Sequence, residues 1–170
     1  MMRVLGWRFE GTLPDAPKLV AIVAPHTSNW DFVVGFSALL AIGVEVHWLG
    51  KHTIFDGPWG RIWKRHGGIP VNRGSSHDVV SQIVDEFRSR DSMILALSPE
   101  GTRKKVLRWR SGFWHIAVGA RVPIVPVALD YRTRSVQLMP PFAPTGDREP
   151  DIAALQARFA GVVARHPQNA

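Results

Sequence analysis

His26 and Asp31 stand five positions apart in the stretch VAPHTSNWDF (23–32), inside a run that otherwise gathers apolar residues. An imidazole with one ring nitrogen held by a carboxylate has a fixed tautomer and a stabilised protonated form, so its other nitrogen can take a proton from a hydroxyl. Such a pair makes a general base. On a regular helix, residues five apart differ by about 140° around the axis, so the two meet only if the chain bends between them. The sequence supplies a bend. With Ser28 as N-cap, Asp31 falls at the third helical position while His26 stays in the preceding loop. The same SNWD is also a serviceable capping box, in which Asp31 only satisfies backbone N–H groups and His26 is an ordinary loop residue. These residues alone leave both readings open.

Other polar clusters follow apolar runs in the same way. In SPEGTR (98–103), proline and glycine bracket a carboxylate in a tight turn, which is expected to aim Glu100 and Arg103 outward from a rigid support; turns of this composition also occur as plain loops. GIPVNR (68–73) brings Asn72 and Arg73 to the end of another short run. RKKVLRWR (103–110) sets five cations around Leu107 and Trp109, either as a contact for anionic headgroups or as a solvated basic loop. Trp7, Trp59, Trp63 and Met1 form a second possible interfacial patch, with burial in the core as the alternative. The remaining histidines, at 47, 52, 66, 77, 115 and 166, show no ligand spacing with carboxylates, and no metal is expected.

The elements that must position these residues alternate along the chain. KLVAIVAP (18–25) reads as a strand covered on both faces, and SNWDFVVGFSALLAIG (28–43) as a helix closed at Gly43. EVHWLG (45–50) is a second strand, followed by a short Trp-rich helix around 59–65 and a brief strand at 68–73. SSHDVVSQIVDEFRSR (75–90) has Val79, Val80, Ile83, Val84 and Phe87 at amphipathic spacing. SMILALSP (92–99) is the clearest central strand, and GFWHIAVGA (112–120) is helical. VPIVPVALDY (122–131) is a strand whose two prolines point to an edge or a sheet end, with SVQLM (135–139) beside it. A last helix is expected at about 150–165. The alternation implies an α/β fold: a single domain over 1–170 with a central, mostly parallel sheet flanked by helices. In such sheets ligands sit beyond the carboxyl ends of the strands, and three strand exits here carry His26, Asn72 with Arg73, and Ser98 to Arg103.

Composition narrows the classes. The chain has 170 residues, 45% of them hydrophobic, and a formal charge of +7, so its surface attracts polyanions without choosing among nucleic acid, anionic lipid and phosphorylated metabolites. With no cysteine, disulfides, thiolate metal sites and cysteine nucleophiles are excluded. The opening MMRVLGWRFEGTLP does not read as a signal peptide. The longest apolar stretch, FVVGFSALLAIGV, has 13 residues, short of the roughly 17–25 that span a bilayer.

Taken together and in order, HTSNWD, GIPVNR, SPEGTR and VPIVPV resemble the four blocks of the glycerolipid acyltransferase family typified by 1-acyl-glycerol-3-phosphate acyltransferase. The resemblance runs from about residue 18 to 130. It implies a glycerol-3-phosphate acyltransferase-like fold and transfer of a fatty acyl group from acyl-CoA or acyl carrier protein to a hydroxyl of a lysophosphatidate or glycerol-phosphate-type lipid. By the family pattern His26 is the general base and Asp31 orients it. Arg73 and Arg103 are the phosphate-binding cations, with Glu100, Gly101 and Thr102 shaping the acceptor site. Lys105 and Arg110 are assigned to the donor or the membrane, and Val122, Pro123 and Pro126 to the acyl-donor side. Pro25 and Ser98 depart from the family pattern, which leaves open an amine- or sugar-bearing acceptor. The chain is shorter than many relatives, and an N-terminal membrane-embedded helix pair is not expected. No cofactor is implied. The expected location is cytoplasmic, peripheral at the inner face of an anionic membrane. A different class, a non-catalytic basic module binding membranes or nucleic acid, rests on charge alone. Because no recognition helix, RNA-binding sheet motif or zinc finger is visible, nucleic acid is not an expected partner.

Overall fold

The run KLVAIVA forms a central strand because both of its faces are covered. Leu19 and Ala21 point to one side, where they meet Val125, while Val20 and Ile22 point to the other, into a core with Ile83, Phe87, Phe113 and Ile116. Each such large side chain taken fully out of water contributes about 1.5–3 kcal/mol, which explains a strand with no polar alternation.

The computed structural model describes residues 6–71, 76–102, 105–106 and 108–169. Its elements are β1 (Arg8–Glu10), β2 (Lys18–Ala24), α1 (Asn29–Ile42), β3 (His47–Lys51), α2 (Gly60–Arg65), β4 (Gly68–Val71), α3 (Ser76–Ser89), β5 (Met93–Leu97), α4 (Gly112–Ala120), β6 (Ile124–Asp130), β7 (Ser135–Leu138) and α5 (Arg148–Ala157). The seven strands lie in the order β1-β7-β6-β2-β5-β3-β4, and every neighbouring pair is parallel except β6 with β7. Helices α3, α4 and α5 cover one face and α1 the other. The mostly parallel α/β architecture expected from the alternation is therefore present.

Two local expectations need correction. β6 is not at an edge: it lies between β2 and β7, in register with Ile22 at Pro126. Its prolines fit there for a reason. Pro123 precedes the strand, and the Pro126 carbonyl accepts from the Met139 N–H at 2.9 Å, just where the neighbouring chain leaves β7 and runs into Pro140 and Pro141. The register slips by one residue between Val127↔Leu138 and Ile124↔Phe142, so the donor that proline lacks falls at a bulge. The final helix ends at Ala157 rather than near 165, because the chain turns through Phe159 and through Gly161 at φ +85°. The opening strand β1, too short to signal itself, adds to β7.

No helix among the described residues is long and apolar enough to cross a membrane.

Candidate active site

The register of the central strands decides which loops meet. Ala24 at the end of β2 pairs with Ala128 in β6, and Ile22 with Leu97 at the end of β5. The segments after these three strands therefore share one rim: Pro25 to Ser28, Ser98 to Thr102, and Tyr131.

Beyond β2 the chain passes a cis Ala24–Pro25 bond and turns into α1. Ser28 caps the helix, its Oγ accepting the Trp30 N–H at 3.1 Å. Asp31, at the third helical position, folds back so that its Oδ2 accepts the N–H groups of Thr27 and Ser28, both at 2.7 Å. The same Oδ2 lies 3.3 Å from Nδ1 of His26. Capping and pairing are thus one arrangement rather than alternatives. On the other side of the carboxylate, the Tyr131 hydroxyl donates to Oδ1 at 2.6 Å. The Asp31 side chain is 1% exposed, against 27% for His26. Burial pushes the Asp31 carboxyl up, but the His26 imidazole, the Tyr131 hydroxyl and the two backbone N–H groups outweigh it and hold the group below the ordinary carboxylate range. A charged, fully engaged carboxylate at Nδ1 leaves Nε2 as the nitrogen available for proton transfer.

Glu100 does not point outward. Its Oε2 accepts the backbone N–H of His26 at 2.9 Å, tying the turn after β5 to the turn after β2. Burial raises its pKa, partly offset by that N–H and by the nearby imidazole. The next residue, Gly101, sits at φ +66°, and a Cβ there would lie 2.7 Å from Cδ and Nε of Arg110. The loop that carries Arg110 is held at this rim by the Arg110 N–H, which donates to the Pro99 carbonyl at 2.8 Å.

Together these turns border an open cleft of about 710 Å³. His26, Asp31, Ser98, Thr102 and Arg110 line its polar part. Trp48, Leu49, Val79, Val80, Phe113 and Ile116 line the apolar part. The Ser98 hydroxyl is buried and has no hydrogen-bond partner among the described residues. A narrower, almost wholly apolar cavity of about 60 Å³ lies between α1 and the sheet, lined by Leu19, Ala21, Val125 and Leu129 among others. Val23, Gly35, Val46 and Ala96 border both spaces. Gly35 is inside α1, and among the described residues nothing lies within 4 Å of a Cβ built there.

Of the residues singled out from the sequence, His26, Asp31, Glu100, Gly101, Thr102 and Arg110 come together at this rim. Arg73 and Arg103 lie outside the described residues, as do Asn72, Lys104, Leu107 and Met1. Lys105 is exposed in the loop that follows. Val122, Pro123 and Pro126 are not brought here: Val122 and Pro123 precede β6 at the opposite end of the sheet, and Pro126 is buried within it. Strand direction is the cause, since β6 runs parallel to β2 and only its carboxyl end reaches the His26 rim. Trp109 faces inward, its ring 5.4 Å from Phe159 and 6.2 Å from Phe113, and Trp7 is buried against Tyr131. Tyr131 was missed by the sequence reading. It is the chain's single tyrosine and directly follows a strand, a signal the strand-exit rule could have used.

Among the described residues, no group of three or more His, Asp or Glu side chains is arranged to hold a metal ion.

Comparison with known proteins gives the same region weight. The chain is 29% identical over 123 residues to a 1-acyl-sn-glycerol-3-phosphate acyltransferase of Salmonella typhimurium, covering 68% of this chain and 49% of that protein. The Escherichia coli protein of the same name is 28% identical over the same length and coverage. The human 1-acyl-sn-glycerol-3-phosphate acyltransferase beta is 29% identical over 145 residues, covering 74% of this chain and 51% of that protein. The chain spans about half the length of these curated relatives. A family model described as Acyltransferase matches residues 8–130, from β1 to the end of β6 and so through the turns after β2 and β5 that carry His26 and Glu100, and on that match the chain belongs to the Acyltransferase family.

Proposed function

We propose that this protein is an O-acyltransferase, a single acyltransferase domain over 1–170, that moves a fatty acyl group from the thioester of acyl-CoA or acyl carrier protein to a free hydroxyl of a lysophosphatidate-type acceptor. One observation carries the reading: the partly exposed imidazole of His26, backed by the buried carboxylate of Asp31, opens on a cleft that is polar at its rim and apolar beyond it. The relatives, 1-acyl-sn-glycerol-3-phosphate acyltransferases, support the same acceptor class.

In this mechanism Nε2 of His26 accepts the hydroxyl proton as the oxygen attacks the thioester carbonyl. The tetrahedral intermediate collapses, the C–S bond breaks, and the imidazolium returns the proton to the departing thiolate. Asp31 stabilises the imidazolium during that interval and is a positioning residue rather than a proton carrier. No protein nucleophile is required. Arg110, with Arg73 and Arg103, supplies guanidinium groups that suit a phosphate monoester, because their planar forks bind its oxygens bidentately. The apolar part of the cleft, which Gly35 borders, suits the acyl chain. The protein acts from the cytoplasmic side as a peripheral protein of the inner membrane face.

The test is a comparison of acceptors at one acyl-CoA concentration, read by thiol release and by mass spectrometry of the product; with no cysteine in the chain, a thiol reagent reports only the released carrier. Lysophosphatidate is expected to turn over at least about tenfold faster than a monoacylglycerol lacking the phosphate. Equal turnover of the two, faster turnover of an amine- or sugar-bearing lysolipid, or no turnover of any acceptor would overturn the assignment.

A further inference from the structure

The link between β3 and β4, KHTIFDGPWGRIWKRH (51–66), has no part in the chemistry described above, yet it displays the most exposed large apolar side chain among the described residues. Trp59 is 63% exposed, with Ile54 at 46%, Ile62 at 43% and Trp63 at 37%. Trp59, Ile62 and Trp63 fall at i, i+3 and i+4 and so form one stripe along α2. The stripe is not frayed chain. Phe55 is buried beneath it, and a Cβ at Gly60 would strike the Phe55 carbonyl, while one at Gly50 or Gly68 would strike its ring. Trp48 packs on Phe55 and edge-on against Trp63, with centroids 5.8 and 6.0 Å apart, and its indole N–H donates to the His66 carbonyl at 3.0 Å. The platform holds apolar rings out in water, a costly display for a surface with nothing to meet.

The charge around the stripe says what it meets. Lys51, Arg61, Lys64 and Arg65 are all exposed, and Asp56 is the single acidic residue in the segment. None of Arg61, Lys64 and Arg65 forms an ion pair with a described residue. Indole rings settle at the headgroup level of a bilayer, and each Lys or Arg near an anionic leaflet adds about 1 kcal/mol. Trp48, which supports the stripe, also lines the cleft. A membrane under α2 therefore lies one side chain away from the space where an amphipathic acceptor enters.

We propose that residues 51–66 are the membrane-docking surface, seating Trp59, Ile62 and Trp63 at the headgroup level of an anionic bilayer with Arg61, Lys64 and Arg65 against lipid phosphates. Trp59 and Trp63 belong to the second interfacial patch that the sequence offered; in the first, the 103–110 stretch, Trp109 is turned inward. Its link to acceptor entry rests on the proposed acyl transfer; the docking itself does not.

The experiment is co-sedimentation of the whole chain with vesicles of phosphatidylcholine alone or of equal parts phosphatidylcholine and phosphatidylglycerol. Wild type is expected to bind the anionic vesicles at least about tenfold more tightly. A Trp59→Ser, Ile62→Ser variant should lose about tenfold or more of that binding, and Arg61→Glu, Lys64→Glu, Arg65→Glu should lose the preference for anionic lipid. Trp63 is left in place because removing it strips Trp48 of its packing. A dye on Ile62→Cys should shift to the blue with vesicles and one on Glu149→Cys, far along the chain on α5, should not. The Trp59→Ser, Ile62→Ser variant should release thiol at the wild-type rate with short-chain, lipid-free substrates. Equal binding of neutral and anionic vesicles, variants that bind like wild type, equal dye shifts, or a stripe that governs only self-association or RNA binding would each overturn the proposal. Failure of acyl transfer with vesicle binding intact would instead count against the catalytic reading alone.

Discussion

The hydroxyl of Tyr131 donates to Oδ1 of Asp31 at 2.6 Å, so the carboxylate facing His26 is anchored from behind by a residue one hundred positions later. That anchor is itself held. The Tyr131 N–H donates to the Val163 carbonyl, and the Tyr131 ring meets Trp7 edge-on at 4.8 Å.

Tyr131→Phe keeps the ring contact and removes only the hydroxyl. A hydrogen bond to a charged group is worth about 1.5–3 kcal/mol, so a loss of that order is expected in chemical denaturation. The pH dependence should move with it. Because the folded Asp31 lies below its ordinary value, the stability it contributes is present above the unfolded carboxylate value and is lost as pH falls through the folded one. Removing one of the groups that lowers it raises the folded value, so acid unfolding of Tyr131→Phe begins at higher pH than wild type beyond what the general loss of stability accounts for.

Glu100 works through the backbone of His26, and Glu100→Gln and Glu100→Ala should therefore differ. The amide oxygen still accepts the His26 N–H, whereas alanine leaves a partly buried donor unpaired at a cost of about 1–3 kcal/mol. Activity should follow that order, with glutamine retaining most and alanine little. Burial raises the folded value of Glu100, so its favourable contribution is full below the unfolded carboxylate value and is lost as pH rises through the folded one. Denaturation of wild type and Glu100→Gln across that range should show wild type losing ground as pH increases, then levelling.

At Gly101 the constraint is the positive φ, since the atoms nearest to an added Cβ belong to the flexible Arg110 side chain. Gly101→Ala should cost about 1 kcal/mol in stability from the left-handed backbone. It should also displace Arg110, raising KM for a phosphate-bearing acceptor several-fold while leaving kcat near wild type. A fall in kcat alone would argue that Arg110 has no part in holding the acceptor.

Much of this site could be read before the fold was known, and the exceptions share a cause. The apolar runs of β2 and β5 announced buried strands, and the Ser28 cap announced the bend that lets His26 face Asp31. Both signals are local. Tyr131 could be placed beside Asp31 only by knowing that β6 pairs with β2, and the prolines at 123 and 126 argued the other way because their accommodation depends on Pro140 and Pro141 of another segment. The family resemblance puts Val122, Pro123 and Pro126 on the donor side, whereas the fold sets them before β6 or within it, away from the His26 rim. The inward turn of Glu100 had no signal at all: a Pro-Glu-Gly turn fixes backbone shape and leaves the carboxylate's direction to its neighbours.

Gly35 borders both the cleft and the apolar cavity, and among the described residues nothing lies within 4 Å of where its Cβ would stand. Gly35→Leu should narrow the apolar side of the cleft from a helix position where leucine is well tolerated. Competition between palmitoyl and octanoyl donors is the measurement: the variant should lose palmitoyl transfer about tenfold or more relative to octanoyl, in keeping with a displaced apolar chain. An unchanged ratio would place the acyl chain elsewhere.

The most direct measurement is phosphatidate formation from acyl-CoA and lysophosphatidate by wild type and by His26→Gln, after matching the two proteins for thermal unfolding. Loss of a general base lowers the rate by about 10²–10⁴-fold, and product formation and thiol release should fall together by that amount. Phosphatidate made at the same rate by the folded variant would mean that the imidazole beside Asp31 takes no proton in this reaction.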